Sequence, residues 1–133
     1  MNWTRIAMAG SAAGVTTWLV DFVQHGIIMA PTYMKLTEVY TQTEASPVWF
    51  LLVSVSICLM AAVLFARTRG SWAPGWKGGL SFGLFLGLVV FFQRFYDPLT
   101  VAGYPYYLAW CEGGMSMIDS LVAGATIGAV IKS

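Results

Sequence analysis

The sequence predicts an all-α integral membrane protein, a single domain over residues 1–133 built as a bundle of four transmembrane helices. Of its 133 residues, 58% are hydrophobic and only 10% are charged, against roughly a quarter charged in a typical soluble domain. The mean hydropathy is +0.71. A soluble chain of this length cannot hide so much apolar surface, and four apolar stretches each approach or exceed the ~20 residues that cross a bilayer. The lipid bilayer is therefore the expected surrounding.

The first predicted helix covers about residues 4–30 and stops at Pro31, because the residue before a proline is pushed out of the helical region. The polar stretch that follows carries Lys35, Gln42 and Glu44. We predict a loop there, with room for a short interfacial helix.

The second predicted helix covers about residues 47–66. It begins with Ser46 as a typical N-cap and Pro47 at the first helical position. It contains no Asp, Glu, His, Lys or Arg, so it is the best candidate for a largely lipid-facing helix. The basic stretch 67–77 that follows contains turn residues and interfacial tryptophans, and we predict a loop there.

The third predicted helix covers about residues 78–96 and ends before Asp97-Pro98, and the fourth covers about residues 106–131. Small residues spaced four apart let helix backbones approach closely in membranes. Three helices carry glycines at this spacing, which predicts tight packing at Gly10 and Gly14, at Gly79, Gly83 and Gly87, and at Gly124 and Gly128.

Basic residues predict the orientation of the bundle. They precede the first helix, fill the loop between the second and third helices, and follow the fourth: Arg5, Arg67, Arg69, Lys77 and Lys132. The positive-inside rule then places both termini and the middle loop in the cytoplasm. The expected location is the inner (cytoplasmic) membrane, with four passes.

The composition also restricts the partners and cofactors. The net charge of +1 and the lack of a long basic run argue against a nucleic-acid partner. Cys58 and Cys111 both fall in apolar segments at different predicted depths, so we expect buried free thiols and no disulfide. No zinc-ligand spacing is present, and neither a metal nor a cofactor is identified.

A polar cluster interrupts the apolar pattern of the first helix. Asp21, Gln24 and the only histidine, His25, share one helix face because they lie three or four residues apart. Ionisable groups in a membrane span are costly and usually face the protein interior or a water-filled cavity. At ~1.5 Å per residue, Asp21 and Glu112 both lie roughly 10 Å below the outer edge.

The same counting places His25, Gln93 and Arg94 roughly 3–5 Å below the outer edge, and Asp119 roughly 20 Å below it. The outer half is also rich in large aromatic rings, whereas the glycines lie further in. This contrast predicts a bundle that is splayed at its outer end, with an outward-facing polar pocket. The expected binding residues for a ligand or ion are Asp21, Gln24, His25, Gln93, Arg94, Glu112 and Asp119.

Four interpretations of this cluster are open from the sequence. Arg94 can neutralise Asp21 or Glu112 in a structural ion pair. The cluster can bind an ion, a proton or a small polar molecule on a transport path. His25 can ligate a metal, a haem or a pigment. Asp21 and His25 can act as a catalytic acid/base pair, although no nucleophile elbow, P-loop or HExxH motif accompanies them.

The preferred hypothesis is a membrane protein that binds or translocates a small ligand or ion, and an enzyme is less favoured. The alternative is a non-catalytic accessory subunit of a larger membrane complex, in contact with a pigment or haem through His25. A homo-oligomer and a larger membrane complex are both compatible with the sequence.

Two short motifs carry a resemblance to known proteins. They are the string Asp21-Phe-Val-Gln-His-Gly26 with Pro31-x-Tyr33 after it, and the run Gly78-Gly-Leu-Ser-Phe-Gly-Leu-Phe-Leu-Gly87. With them the chain resembles a set of small four-helix bacterial membrane proteins that lack an assigned activity. The resemblance extends over most of the chain. It implies four helices and a role for His25, but it implies no particular function.

Overall fold

The computed structural model describes residues 1–41 and 46–131. Gln42 and Glu44 of the predicted loop, and the terminal Lys132 used to predict the orientation, lie outside the described residues. The described residues are helical, without strands. Six α-helices follow one another as α1 (Trp3–Asp21), α2 (Ala30–Lys35), α3 (Pro47–Arg67), α4 (Gly75–Gln93), α5 (Asp97–Thr100) and α6 (Tyr106–Val130).

Four of these helical stretches are long and apolar enough to cross a membrane, which indicates a multi-pass membrane protein. They are Trp3–Ile28, Pro47–Arg67, Gly75–Thr100 and Tyr106–Val130. The second has the smallest buried share, 22% against 28% for each of the others. It is therefore the most exposed of the four, as the absence of Asp, Glu, His and Lys from this helix predicts.

The helix boundaries follow the local capping signals closely. The Ser46 hydroxyl accepts a hydrogen bond from the Val48 N–H at 3.4 Å, which confirms the predicted N-cap of α3. Helix α4 begins three residues earlier than predicted, at Gly75. This glycine has φ +71°, a backbone conformation that side chains with a Cβ avoid.

The first membrane-crossing stretch changes its hydrogen-bond pattern in its last seven residues. After Asp21, residues Phe22–Ile28 form a π-helical turn, and the Met29 N–H bonds to the Gln24 carbonyl, five residues back, at 2.9 Å. The chain then enters α2, with Pro31 in its first turn. The first stretch thus ends at Ile28, two residues before the predicted end at Ala30, and Pro31 lies in the first turn of a short helix, where its missing N–H costs little.

Glycines form two close helix contacts. A Cβ on Gly10 or Gly14 would lie 2.7 or 2.5 Å from the backbone of α3, so α1 and α3 touch directly. Between α4 and α6, a Cβ on Gly79 or Gly83 would collide with a backbone carbonyl oxygen of the other helix. We call these contacts the α1–α3 seam and the α4–α6 seam. Both confirm the packing predicted from the glycine spacing.

The buried apolar residues form two separate groups. The larger lies at the end of the bundle where Trp3, Val130 and the 67–75 connection meet, which we call the terminal end. The smaller lies at the opposite end, where residues 29–40 fold over Tyr104, Leu108 and Ala109; we call this the capped end. The larger group consists of Ile6, Ala9, Ala13, Cys58, Ala62, Phe65, Phe82, Ala123, Ile127 and Ile131.

Two predictions need correction here. At the aromatic-rich end, residues 29–40 pack over Tyr104, Leu108 and Ala109, so this part of the fourth helix does not line an open, splayed mouth. Cys111 is exposed on α6, whereas Cys58 is buried as expected; both thiols are free. Cys111 was expected to be buried because it lies in an apolar segment, but in a membrane helix an apolar segment also supplies the outward face.

Candidate functional site

Four polar side chains meet between the two apolar groups, and we call them the carboxyl-pair group: Asp21, Gln24, His25 and Asp119. Gln24 Nε2 donates to Asp119 Oδ1 at 2.9 Å, and the carboxyl groups of Asp21 and Asp119 lie within hydrogen-bonding reach of each other. His25 Nε2 lies 3.4 Å from Asp21 Oδ1. The group therefore joins the first helical stretch to α6 through polar contacts.

The π-helical turn contributes two members of this group, Gln24 and His25. Isolated π-turns inside α-helices are rare and occur frequently at functional sites. Gln24 is only 7% exposed, and its contact with Asp119 joins residues 95 positions apart in sequence. The turn therefore coincides with a buried glutamine that bonds directly to α6.

A second group surrounds Glu112, which is 6% exposed. Tyr40 donates to Glu112 Oε1 at 2.6 Å and Tyr33 donates to the same oxygen at 3.3 Å. Tyr104 donates to Oε2 at 2.6 Å, and Arg94 Nη1 lies 3.9 Å from that oxygen. We call this arrangement the tyrosine clamp.

The clamp depends on tyrosines that keep their protons. Burial and the neighbouring Glu112 carboxylate raise the pKa of Tyr33, Tyr40 and Tyr104 well above the ordinary value, because a phenolate beside a carboxylate is doubly unfavourable. All three hydroxyl groups therefore remain donors throughout the physiological pH range. Since hydrogen bonds to a charged acceptor are stronger than neutral ones, the clamp holds residues 33–40 against α6.

Tyr33 connects the two groups. Its hydroxyl oxygen is within hydrogen-bonding distance of His25 Nδ1, and the two rings are nearly parallel at 9°, with centroids 5.8 Å apart. If Tyr33 donates to Glu112, it accepts from Nδ1, and His25 then donates from Nε2 to Asp21 as well. A histidine with both nitrogens donating is an imidazolium. An unbroken line of hydrogen-bonding groups thus runs from Asp119 to Glu112.

The structure brings six of the seven expected residues together. Gln93 is the exception: its side chain is exposed and lies on an open apolar surface with Val89, Phe92 and Leu99. Arg94 contacts Glu112 at 3.9 Å and Asp97 at 3.8 Å, and its side chain is 41% exposed.

The expected pairing of Asp21 with Glu112 at one level is replaced by contact between Asp21 and Asp119. The depth count assumed that residues 28 and 106 lie at the same edge. In the structure Met29 packs in the same apolar group as Leu108 and Ala109, two and three residues inside that assumed edge. This offset shifts the residues of α6 by roughly 5 Å relative to those of the first stretch, along the bundle axis.

The tyrosine clamp was missed by the sequence reasoning. Its three tyrosines lie outside the apolar runs, in stretches predicted as loops, so hydrophobic periodicity does not mark them. One signal was available: a carboxylate buried in a membrane span needs several donors, and Tyr33 stands in the string that carries the resemblance.

The arrangement bears on the metal and pigment interpretation. Within residues 1–41 and 46–131, no three His, Cys, Asp or Glu side chains come together as a metal-binding group. Both nitrogens of His25 are engaged, one with Asp21 and one with Tyr33. Axial ligation of a haem or chlorophyll by His25 would therefore require one of these contacts to be given up.

Comparison with known proteins adds no further constraint. A scan against protein-family models, a search of curated proteins and a search of solved structures each returned no match. The contacts described above are therefore the basis for inference about function.

Proposed function

We propose that this protein binds and translocates a small cation through the membrane, and that the cation handled by the line from Asp119 to Glu112 is the proton. The observation that carries this proposal is the hydrogen-bonded continuity of the carboxyl-pair group and the tyrosine clamp through His25 and Tyr33. We further propose that the membrane is the inner (cytoplasmic) membrane, with the terminal end facing the cytoplasm, because Arg5, Arg67 and Arg69 lie there.

The carboxyl pair supports a proton-binding role. Two carboxylates at hydrogen-bonding distance repel each other unless they share a proton. The nearest guanidinium, on Arg94, contacts Glu112 and Asp97 instead. An uncompensated charge in a membrane span is costly, so uptake of one proton by Asp21 and Asp119 relieves that cost.

Tyr33 supports transfer of a proton between the two groups. In one arrangement His25 donates from Nδ1 to the Tyr33 oxygen while Tyr33 donates to Glu112. When the Nδ1 proton moves to the Tyr33 oxygen, the Tyr33 proton moves to Glu112, leaving neutral His25 and a protonated Glu112. The phenol is neutral before and after, which agrees with the raised pKa of Tyr33.

The line of polar groups covers only part of the span. Asp119 and Glu112 are seven residues apart on α6, roughly 10 Å along the axis, whereas the hydrocarbon core is ~30 Å thick. Beyond Asp119 the terminal end is packed by the two glycine seams and apolar side chains. The line is therefore connected toward the capped end, and complete translocation requires the terminal end to rearrange.

Proton flux in proteoliposomes tests the proposal. Purified protein is reconstituted in sodium-free vesicles that contain a pH-sensitive dye, and a potassium gradient with valinomycin drives proton uptake. Tyr33→Phe should slow uptake about tenfold or more, because a positioned proton-transfer group contributes at least that much. Tyr106→Phe is the matched control, since Tyr106 is 62% exposed and outside the clamp.

Two results would count against the proposal. One is wild-type uptake equal to that of protein-free vesicles. The other is equal uptake by the Tyr33→Phe and wild-type proteins, which would show that the contact between His25 and Glu112 through Tyr33 is structural only.

A further inference from the structure

The amide of Gln24 has a buried acceptor without a partner. Its nitrogen donates to Asp119, but within the described part of the chain no donor reaches its oxygen Oε1, which is inaccessible to solvent. The residue as a whole is only 7% exposed. Buried polar atoms are nearly always paired, so an unpaired one calls for an unseen partner.

The amide group of Gln24 lies beside further acceptors. The Asp119 carboxylate is bonded to the same amide, and the Asp21 carboxyl group is within hydrogen-bonding reach of Asp119. Exchanging the positions of the amide nitrogen and oxygen does not pair every polar atom, because the amide oxygen would then face a carboxylate oxygen, and both are acceptors. The unpaired amide oxygen thus belongs to a side chain that is bonded to one of two neighbouring carboxyl groups, and the ion pairs of Arg94 are with Glu112 and Asp97.

We propose that this position binds Na⁺, with the Asp21 and Asp119 carboxylates and Gln24 Oε1 as ligands. The inference rests on the proposed function, in that the ion replaces the proton shared by the two carboxyl groups. Carboxylate, carbonyl and water oxygens suit hard cations, whereas nitrogen or sulfur ligands would favour transition metals. The side chain of Asp21 is 39% exposed, which leaves room for water to complete the coordination.

The charge of the site favours a monovalent ion. When His25 donates through both nitrogens, its positive charge balances Asp21, and Asp119 contributes one uncompensated negative charge. A single Na⁺ or a single proton neutralises it. Interrupted membrane helices are also a recurrent setting for Na⁺ or proton sites in transporters, and here the π-helical turn supplies Gln24.

Thermal unfolding in detergent tests the site. NaCl is exchanged for choline chloride at constant ionic strength and constant pH, with KCl and CaCl₂ as comparison salts. The melting temperature of the wild-type protein should rise and saturate with Na⁺. Gln24→Leu should require about tenfold more Na⁺ or lose the shift, whereas Gln93→Leu, a matched change at an exposed glutamine, should behave as wild type.

Several outcomes would overturn the site. They are equal melting temperatures in Na⁺ and choline, a larger shift with K⁺ or Ca²⁺ than with Na⁺, or the same Na⁺ dependence for Gln24→Leu and Gln93→Leu. If Gln24→Leu does not fold, Asp119→Asn replaces it, and a full Na⁺ shift in that variant refutes the site. The sodium-free flux assay is independent: proton uptake without a Na⁺ shift removes only this inference, and a Na⁺ shift without proton uptake removes only proton translocation.

Discussion

Removal of the Tyr104 hydroxyl group provides the sharpest test of the tyrosine clamp. Among residues 1–41 and 46–131, Glu112 Oε1 accepts hydrogen bonds from two tyrosines, whereas Oε2 accepts one, from Tyr104 at 2.6 Å. Arg94 also contacts Oε2, at 3.9 Å and with a side chain that is 41% exposed. Glu112 as a whole is only 6% exposed. In Tyr104→Phe, its Oε2 therefore loses the hydrogen bond and keeps the distant, partly solvated Arg94.

The magnitude follows from the type of hydrogen bond. A bond to a charged group contributes about 1.5–3 kcal/mol, so we expect Tyr104→Phe to lower the free energy of unfolding by about 2 kcal/mol. Tyr40→Phe should cost less, because Tyr33 still donates to the same oxygen. The control is Tyr107→Phe, at a 54% exposed position, where a change within about ±0.5 kcal/mol is expected.

Reversible unfolding in mixed micelles measures these differences. Sodium dodecyl sulfate is titrated into the purified variants, and the fluorescence of the six tryptophans reports the folded fraction. Equal midpoints for Tyr104→Phe and Tyr107→Phe would refute the reasoning, since they would mean that the Glu112 carboxylate does not depend on the clamp.

Three further predictions concern packing, pH and orientation. Gly83→Leu should destabilise the protein by about 1–3 kcal/mol or more, because a Cβ at this position already collides with the Ser120 carbonyl oxygen. Gly70→Leu should have little effect, since nothing lies within 4 Å of a Cβ there. Melting temperatures of the two variants in detergent check this difference. The raised pKa values of the clamp tyrosines give stability that is fully present below pH 10.0, the ordinary tyrosine value, and is lost as the pH rises above it. In unfolding titrations, the stability difference between the wild-type protein and Tyr104→Phe should therefore be constant from neutral pH to that value and shrink above it, and a difference that shrinks earlier would contradict the clamp. Reporter fusions at Gly70 should read cytoplasmic and fusions at Thr41 external, and the reverse result would invert the proposed orientation.

The sequence predicted the helices well because their ends carry local signals. Ser46-Pro47 and Pro105-Tyr106 mark the starts of α3 and α6 to the residue, and the glycine spacing correctly located both seams. The start of α4 was missed by three residues, since the positive φ of Gly75 depends on the turn before it and not on hydrophobicity.

The site was predicted only in part, because its geometry depends on contacts between distant residues. Asp21, His25 and Glu112 stood out as ionisable groups in apolar runs. The π-helical turn leaves no periodic pattern in the sequence, and it is accompanied by long-range contacts such as Gln24 with Asp119. Fold-back of residues 29–40 over α6 likewise joins Tyr33 and Tyr40 to Glu112 across more than 70 positions, a distance that no local pattern spans.

The two glycine seams have a mechanical consequence for the bundle. Contacts at backbone distance leave little room for sliding, so α1 with α3 and α4 with α6 each form a stiff pair. The bond between Gln24 and Asp119 crosses the boundary between these pairs, as does the contact between Asp21 and Asp119. A ligand bound between the carboxyl groups of Asp21 and Asp119 would therefore contact both helix pairs. The boundary between the two pairs is also the plane along which one pair can slide past the other.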